Sequence, residues 1–563
     1  MSRVRVAAVQ FEVGRETAAN LAACLRLIDQ AAAEGAELIV LPEFCNHLSW
    51  YDDGKTARRA ACRPGDGFLN AIAARAVRHQ AYIKIHVTLA RQGGRTTATN
   101  LLYAPDGTLA GQADKLVLMG AEGDHLDPGT AAGPVVPSPC GRLGLYSCME
   151  GVISEVCRDL AVRGAQVLLN SLNSFATDEA SLHVPVRAAE NRVWVVAANK
   201  VGPLLPAELV PAIGERLGVP PEWLHGAGES QIVAPDGTVL AKGPRAGEAV
   251  VVADIDPAAA DDKVRPDGTD IFTARRPRLY GPIVAPPRSR TARKGAEKLA
   301  VAVVRATGAD RVAGLTRTAA SRGAELIVLP ELAFDEGGHD GRRVEQIVAE
   351  LAEAVRGTRA YAVTSVRDGS SHVGLLVNTE GEAGRQPQLH TVARHAAWAT
   401  EPGEEVAVFD LPWGRLAIVV GDDSIHPETF RLAAIADADV VAVPFRPLEP
   451  WETGLGLLER SAENRLNVVA AGPGEGLILA LPADFTLWTP WEGPFTGRIS
   501  HPIVTRADGP VTLATIYPAQ AVNRDVSKNT DLVGGRPWKA VAALHQEPEP
   551  PASPAAEMRM ESR

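Results

Sequence analysis

Four residues in the first half of this 563-residue chain are of the types that nucleophilic attack on a carbonyl or nitrile carbon requires. Cys148 offers a thiol, which becomes a strong nucleophile only after a base has removed its proton. Glu43 is a carboxylate that can act as that base, and Lys115 is a cation that can stabilise the negative charge developing on the attacked group. Glu122, a second carboxylate, can hold the lysine and a hydrolytic water in place.

The elements predicted around these residues bring them towards one edge of a sheet. Glu43 follows the continuous apolar run at 38–41, which is typical of a strand covered on both faces. Cys148 ends a second predicted strand at 143–147, and a helix is expected within a few residues, so the cysteine lies on a strand-to-helix turn. Because ligands of α/β sheets bind at the carboxyl ends of strands, this edge is the predicted site.

Strand and helix patterns alternate along the first half, which indicates an α/β structure in which helices cover the sheet. Apolar spacing from Leu21 to Ala32 predicts a first helix that stops at Gly35, and Pro235-Asp236-Gly237 predicts a hairpin turn. The predicted strands are 4–9, 38–41, 81–89, 143–147, 167–169, 194–198, 231–234 and 249–255, with further helices near 70–79, 155–163 and 184–192.

A duplicated unit fills the chain. The nonapeptide Gly-Ala-Glu-Leu-Ile-Val-Leu-Pro-Glu occurs at 35–43 and again at 323–331, and Arg-Ala-Ala-Glu-Asn-Arg at 187–192 returns as Arg-Ser-Ala-Glu-Asn-Arg at 460–465. A chain of this length also exceeds one core. The predicted domains are a catalytic unit at 1–283, a polar, proline-containing linker at 284–298, a second copy at 299–545 and a disordered tail at 546–563.

The second copy lacks the nucleophile. All six cysteines lie in the first half, and aligning the two copies places Gly421 where Cys148 stands. Glu331 keeps the first glutamate, and Arg394 is aligned with Lys115, although arginine replaces lysine poorly in a tight site. We therefore predict that the second copy is catalytically inactive. It could serve as a built-in partner that covers an apolar face of the first copy, or its pocket could bind a regulator; the sequence favours neither.

Composition narrows the remaining classes of function. The net charge of −11 argues against a nucleic-acid partner, which needs a basic surface. No apolar run approaches the ~20 residues of a membrane helix, and the chain enters a strand pattern without a signal-peptide pattern, so no membrane association and a cytoplasmic location are predicted. The cysteines and histidines show no metal-binding spacing, so neither a metal nor another cofactor is predicted.

Taken in order and spacing, several motifs of the first half resemble the nitrilase superfamily of carbon–nitrogen hydrolases. They are Leu41-Pro-Glu43, Asp114-Lys115-Leu116, Glu122 with Pro128-Gly129, Tyr146-Ser-Cys148-Met-Glu150, Arg187-Ala-Ala-Glu-Asn-Arg192, Asn199-Lys-Val-Gly202 and Gly228-Glu-Ser-Gln-Ile-Val. The resemblance extends nearly end to end over the first half and implies two tandem αββα sandwiches. Since members of this family pair such sandwiches face to face, it also implies an intramolecular pseudo-dimer, with further homo-oligomers open.

The resemblance assigns roles to individual residues. It makes Glu43 the base, Lys115 the oxyanion stabiliser, Cys148 the nucleophile and Glu122 the supporting carboxylate, although Glu150 and Asp124 compete for the last role. The Met149 backbone N–H would help to bind the oxyanion.

Substrate contacts are predicted at Met149, at Asn170 and at the aromatic residue of position 51, Tyr51. Tyr51 belongs to the loop at 44–53, which mixes aromatic and polar groups; the alternative is an ordinary surface loop. The segment 203–224 is longer than the family's usual connection and is predicted to be a lid or an interface element.

The predicted activity is hydrolysis of a small, non-peptide amide or N-carbamoyl compound through a thioester acyl-enzyme, with release of ammonia or an amine. A nitrilase that converts a nitrile into a carboxylic acid is the first alternative. A non-catalytic binding or scaffold protein is the alternative from a different class.

Overall fold

The computed structural model describes residues 3–335, 343–487 and 489–547. Each half of the chain contains two six-stranded sheets that pack face to face, with helices on both outer faces. This is the predicted αββα sandwich, present twice. Most of the predicted tail, from residue 548 onwards, lies outside the described residues. In the described ranges, no helix is both long enough and apolar enough to cross a membrane.

The strands of the first half form the sheets β12-β1-β2-β3-β4-β5 and β11-β10-β9-β8-β7-β6. The central pairs β1–β2, β2–β3, β7–β8 and β8–β9 are parallel. Their bounds are β1 (Val4–Gln10), β2 (Leu38–Val40), β3 (Tyr82–Ala90), β4 (Thr96–Tyr103), β5 (Leu109–Asp114), β6 (Val135–Ser138), β7 (Gly141–Ser147), β8 (Val167–Ser171), β9 (Trp194–Ala198), β10 (Gln231–Val233), β11 (Val239–Lys242) and β12 (Ala249–Ile255).

Helices lie between these strands along the first half. They are α1 (Thr17–Ala33), α2 (Gly54–Ala60), α3 (Gly67–His79), α4 (Glu122–His125), α5 (Met149–Val152), α6 (Glu155–Val162), α7 (Val184–Asn191) and α8 (Val210–Leu217). Helices α1 and α3 pack on the β1 sheet, and α6 and α7 pack on the β7 sheet. A third apolar layer fills the space between the two sheets.

The second half repeats this arrangement in the sheets β17-β16-β15-β14-β13-β24 and β18-β19-β20-β21-β22-β23. Its strands are β13 (Leu299–Val304), β14 (Leu326–Val328), β15 (Tyr361–Asp368), β16 (Ser371–Asn378), β17 (Gly381–Pro387), β18 (Val408–Leu411), β19 (Gly414–Ile418), β20 (Val440–Pro444), β21 (Asn467–Ala471), β22 (Gly476–Ala480), β23 (Ile503–Arg506), β24 (Val511–Ile516), β25 (Asp525–Ser527) and β26 (Thr530–Asp531). Its helices are α9 (Ala309–Ser321), α10 (Val344–Ala354), α11 (Pro427–Ile435) and α12 (Leu457–Asn464).

Buried ion pairs join α6 and α7 of the first half to α11 and α12 of the second. The crossing pairs are Arg158–Glu428, Glu155–Arg431, Arg187–Glu463 and Arg460–Glu190. Adding 273 to each first-half residue number in a pair gives a residue of another crossing pair, so Arg158–Glu428 corresponds to Arg431–Glu155. Such self-complementary pairing is the pattern of a two-fold interface, here formed within one chain.

The predicted elements of the first half are confirmed at β1, β2, β3, β7, β8, β9, β10 and β12, and the hairpin turn joins β10 to β11. Strands β4, β5, β6 and β11 were not predicted. Strand β4 buries Thr96, Thr97, Thr99 and Asn100 beside its apolar residues, so no continuous apolar run marks it in the sequence. Helix α3 starts at Gly67, where the Asp66 carboxylate accepts a hydrogen bond from the Leu69 backbone N–H.

Candidate active site

The structure brings Glu43, Lys115 and Glu122 together at the carboxyl edge of the first-half sheets. Glu43 lies three residues past β2, Lys115 directly follows β5, and Glu122 opens α4. The Lys115 Nζ lies 2.7 Å from Glu43 Oε1 and 2.8 Å from Glu122 Oε2. Both Glu43 and Lys115 are fully buried. A lysine held between two carboxylates in a dry environment is fixed in position and remains charged.

Cys148 occupies the turn between β7 and α5. Its backbone is in the positive-φ region, with φ 47° and ψ −110°, where residues other than glycine are strained. The Cys148 N–H donates to Asn170 Oδ1 at 3.1 Å and to the Ser171 carbonyl at 3.0 Å, which holds the turn against β8. Helix α5 begins at Met149, so that its first backbone N–H groups lie beside the thiol.

The electrostatics of this site suit a thiol that is activated only during reaction. Burial raises the pKa of Cys148 well above its ordinary value, Glu43 raises it further, and Lys115 lowers it. Burial also raises the pKa of Glu43 to about 7, against the opposing effect of Lys115. Burial alone would lower the pKa of Lys115, but Glu122 and Glu43 raise it well above its usual range. A carboxylate that titrates near neutral pH is well matched to the work of a general base.

Glu150 and Asp124, the competitors of Glu122, have other partners. Glu150 accepts hydrogen bonds from the backbone N–H groups of Leu116 at 2.7 Å and Ser147 at 2.8 Å. It therefore ties the lysine loop to the cysteine strand. Asp124 pairs with Lys528 of the second half at 2.9 Å. Glu122 is the one of the three that contacts Lys115, and its Oε2 also accepts from the Met119 N–H.

The predicted substrate contacts differ in their surroundings. Met149 is buried beside the nucleophile, and Asn170 leaves its Nδ2 without a partner in the described part of the chain. Tyr51 is buried in an apolar cluster with Phe44, and its hydroxyl lies 2.6 Å from Thr88 Oγ1. Met149 and Asn170 thus lie directly at the thiol. Tyr51 instead packs in the cluster around Phe44, and its hydroxyl is paired with Thr88. Substrate contact by these residues stays a prediction.

Two further residues lie at the same site: Phe44, which begins the predicted loop at 44–53, and Lys200. Phe44 has a positive φ of 53°, and its ring centroid lies 5.8 Å from the Nζ of Lys115 and 5.7 Å from the Nζ of Lys200. Lys200 is 1 % exposed. It belongs to the Asn199-Lys-Val-Gly202 motif, but a lysine after a strand usually lies in solvent, so its type gave no sign of burial.

The second half has a different set of residues at the equivalent positions, hereafter the second-half site. Gly421 stands where Cys148 stands. The backbone corrects the alignment of Arg394 with Lys115. Just as Glu150 accepts from the N–H after Lys115, Asp423 accepts from the N–H after Gln388, at 2.7 Å. Gln388 therefore replaces the lysine. The alignment by charge was wrong because Arg394 lies on a neighbouring turn. Its guanidinium reaches Glu331 from that turn, with 2.8 Å between Nη2 and Oε2.

Space is also lost at the second-half site. An ideal Cβ placed on Gly421 would lie 2.5 Å from Glu331 Oε1, closer than any real contact. The carboxylate thus occupies the volume that a cysteine side chain would need. Arg265 of the first half enters from outside and pairs with Asp422 at 2.8 Å and with Glu452 at 2.6 Å.

One group of three potential metal ligands lies close together within the described ranges: Glu331, His372 and His395. The two ring nitrogens of His372 lie 2.8 Å from Gln388 Oε1 and 2.8 Å from Ser365 Oγ. Because both nitrogens have hydrogen-bond partners, the group does not present three free ligand atoms, and we assign no metal to it.

The second half also forms a wall beside the first-half site. Thr530, in the β25–β26 hairpin, accepts a hydrogen bond from the Gly120 N–H at 2.9 Å, next to the turn that carries Glu122. Phe495 of the second half packs against Phe175 and against Trp223, and Trp223 belongs to the segment 203–224. That segment contains α8 and contacts the second half, as an interface element would.

Comparison with known proteins places the first half in a family. A model of the family "Carbon-nitrogen hydrolase" matches residues 5–263. The chain is 27% identical over 278 residues to the nitrilase of Pyrococcus abyssi (strain GE5 / Orsay), covering 49% of this chain and 99% of that protein. It is 30% identical over 286 residues to the aliphatic nitrilase of Sinorhizobium fredii (strain HH103), with coverages of 46% and 87%.

A third relative carries a different activity in its name. Over 269 residues the chain is 28% identical to omega-amidase NIT2 of Danio rerio, covering 46% of this chain and 89% of that protein. Each similarity thus spans about half of this chain but nearly the whole of the relative. On this evidence the chain belongs to the carbon–nitrogen hydrolases of the nitrilase superfamily.

Proposed function

We propose that the first half hydrolyses a small, non-peptide C–N bond with Cys148 as the nucleophile. Glu43 takes the thiol proton as the sulfur attacks the carbonyl carbon. Lys115 and the Met149 backbone N–H stabilise the negative oxygen of the tetrahedral intermediate. When the C–N bond breaks, the proton passes from Glu43 to the leaving nitrogen, and ammonia or an amine departs. A thioester of Cys148 remains.

Water then cleaves the thioester. The oxygen of the water attacks the thioester carbon while Glu43 accepts a proton from the water. Glu122 holds Lys115 in place, so that Lys115 can stabilise the second oxyanion. The C–S bond breaks, the proton returns to the sulfur, and the acid product leaves. The single observation that supports this reaction best is the buried Glu43–Lys115–Glu122 chain beside a thiol on a strained turn.

We favour an amide or N-carbamoyl substrate over a nitrile. The relatives include proteins named as nitrilases and as an omega-amidase, so similarity alone leaves both classes open. Family nitrilases often have an aromatic residue directly after the cysteine, whereas this chain has Met149. The two classes converge at the thioester of Cys148. A nitrile would first form a thioimidate with the thiol, and the thioimidate would then add water and lose ammonia to give that thioester, whereas an amide gives it directly when its C–N bond breaks.

We infer that the second half is catalytically silent and acts as a built-in partner of the first. Gly421 carries no nucleophile, and Glu331 occupies the space that one would need. The crossing ion pairs of α6, α7, α11 and α12 bury the faces that a separate subunit would otherwise cover. Well-folded, fully active protein from residues 1–283 alone would contradict this role.

The proposed activity is tested by ammonia release from primary amides, N-carbamoyl amino acids and nitriles, with wild type and Cys148→Ala compared on each. Activity on one class, reduced at least about 10⁴-fold in Cys148→Ala, is the expected result. Full activity in Cys148→Ala would overturn the mechanism. If no compound reacts, alkylation separates the alternatives: selective labelling of Cys148 over the other five cysteines supports an enzyme, and its absence supports a binding protein.

A further inference from the structure

Lys200 is a buried cation with no counter-charge in direct contact. It follows Asn199 just past the end of β9, and the side chain is 1 % exposed. Its Nζ has no hydrogen-bond partner anywhere in residues 3–335, 343–487 and 489–547. An ammonium group removed from water without a partner is costly, so such a group is seldom kept without a function.

The surroundings of Lys200 place it at the active site. Its Nζ lies 5.7 Å from the centre of the Phe44 ring, on which Lys115 also lies. Burial lowers the pKa of Lys200 to about 8, and the largest opposing influence is Glu43, followed by Cys45, Glu122 and Cys148. Lys200 and Lys115 thus lie on the ring of the same residue, Phe44, which directly follows Glu43.

The other buried lysines of this region are satisfied by the protein itself. Lys115 is held by Glu43 and Glu122. Lys84 donates to Ser171 Oγ at 2.5 Å and to the Tyr146 carbonyl at 3.3 Å. Lys200 differs from both in that its Nζ has no hydrogen-bond partner among the described residues.

The second half supplies an internal comparison. At the offset of 273 that relates Cys148 to Gly421, Lys200 corresponds to Pro473. The half that lacks the nucleophile therefore also lacks this cation. A lysine needed for folding of the sandwich would be expected in both halves, whereas a lysine needed for substrate would be expected only in the first.

We propose that Lys200 binds a carboxylate of the substrate, so that the natural substrate is an amide or N-carbamoyl compound carrying an acid group a few bonds from the scissile C–N bond. This inference rests on the proposed function of the same site. An ammonium–carboxylate contact in a dry pocket is a charge-assisted hydrogen bond, and its loss when the acid group is missing leaves the lysine unpaired again. The residue would then select substrates without taking part in bond breaking.

Matched substrates test the inference. Succinamate is compared with butanamide, and N-carbamoyl-β-alanine with propylurea, since each pair differs in one carboxylate. We expect wild type to favour the acid member of at least one pair by about 10- to 100-fold in kcat/KM. Lys200→Met is expected to remove that preference mainly by raising KM for the acid member. Lys200→Arg, which keeps a positive charge, is expected to retain part of the preference.

The outcomes separate a specificity role from the alternatives. Equal rates on both members of each pair in wild type would overturn the inference while leaving the proposed function intact. A loss of kcat of the same size on acid and neutral substrates in Lys200→Met would also overturn it, because Lys200 would then serve the chemistry. Lys242→Met is the matched control, because Lys242, at the end of β11, is an exposed lysine that pairs with Glu229.

A binding measurement covers the case in which no substrate of the panel turns over. Cys148→Ala is titrated with succinamate and N-carbamoyl-β-alanine, and the same titration is made with Cys148→Ala/Lys200→Met. Binding weakened about tenfold or more by the second substitution supports the inference, and unchanged binding or no binding to either protein contradicts it. Thermal unfolding of Lys200→Met checks the fold; the melting temperature should stay equal or rise, because a buried unpaired charge is removed.

Discussion

The two halves of this chain share one fold and the same first glutamate, yet they use that glutamate differently. In the first half, Glu43 pairs with Lys115, and Cys148 stands at the turn before α5. In the second half, Glu331 is paired with Arg394, and its Oε1 would lie 2.5 Å from a Cβ placed on Gly421. The sandwich is thus compatible with both arrangements, and a few side chains at the sheet edge make the difference.

A second difference concerns what each half gives the other. The second half places Thr530 of its hairpin against the turn next to Glu122. The first half inserts Arg265 between Asp422 and Glu452 and thereby helps to close the second-half site. By contrast, the ion pairs between the central helices are symmetric. The interface has therefore kept its two-fold character while the two sites have diverged.

The sharpest way to test the comparison is to remove each glutamate in turn. Glu43→Gln should lower kcat/KM by about 10³- to 10⁴-fold, because the base is lost while the shape is kept. Glu331→Gln, the matched control, should leave kcat/KM within about twofold of wild type. Steady-state kinetics on the best substrate measures both. Comparable losses in the two variants would show that the second-half site takes part in the reaction.

The interface is tested by breaking one buried ion-pair cluster. Arg187 contacts Glu190, Glu459 and Glu463, so Arg187→Met leaves buried carboxylates without their cation and should cost about 3–5 kcal/mol of unfolding free energy. Urea unfolding measures the change.

The control for this substitution is Arg142→Met. Arg142 pairs with Asp261 where both side chains are about half exposed, so its removal should cost about 1 kcal/mol or less. Equal losses in Arg142→Met and Arg187→Met would mean that the halves are not held together by the central cluster.

A cysteine restored to the second half should remain without effect on catalysis. Gly421→Cys puts a Cβ against Glu331 in a positive-φ backbone, so we expect a loss of about 1–3 kcal/mol in stability. In the Cys148→Ala background it should recover no hydrolysis, because Gln388 and Arg394 do not reproduce the lysine. Ammonia release and urea unfolding measure the two effects. Recovered turnover would mean that the second-half site lacks only the thiol and is otherwise able to catalyse the reaction.

The pH profile gives the smallest expected effect and distinguishes the two glutamates again. Burial raises the pKa of Glu43 to about 7, and the base works only when deprotonated. The value of kcat/KM should therefore fall about tenfold per pH unit below about pH 7 and level off above it. The acid limb should be unchanged in Glu331→Gln, although the pKa of Glu331 is also raised, to about 8. An acid limb near pH 4 in wild type would contradict the assigned base.

Much of the fold could be predicted because its signals are local. Continuous apolar runs gave the positions of the central strands, and Pro235-Asp236-Gly237 marked the turn between β10 and β11. Strand β4 escaped prediction because its threonines and Asn100 are buried by neighbouring strands, which no local pattern records. The assignment of Arg394 failed for a similar reason. Its charge reaches the site from another turn, while backbone hydrogen bonds identify Gln388 as the equivalent of Lys115.

The sequence alone determined the duplication, the α/β class, the absence of a nucleophile at Gly421 and the identity of the four candidate residues, because these depend on residue types and their order. The tertiary structure decided which carboxylate holds Lys115, that the Tyr51 hydroxyl pairs with Thr88, and that Lys200 is buried without a hydrogen-bond partner among the described residues. The physical reason is that burial and pairing arise from segments hundreds of residues apart. The sequence shows which side chains are charged, but packing decides whether each of them meets a partner of opposite charge.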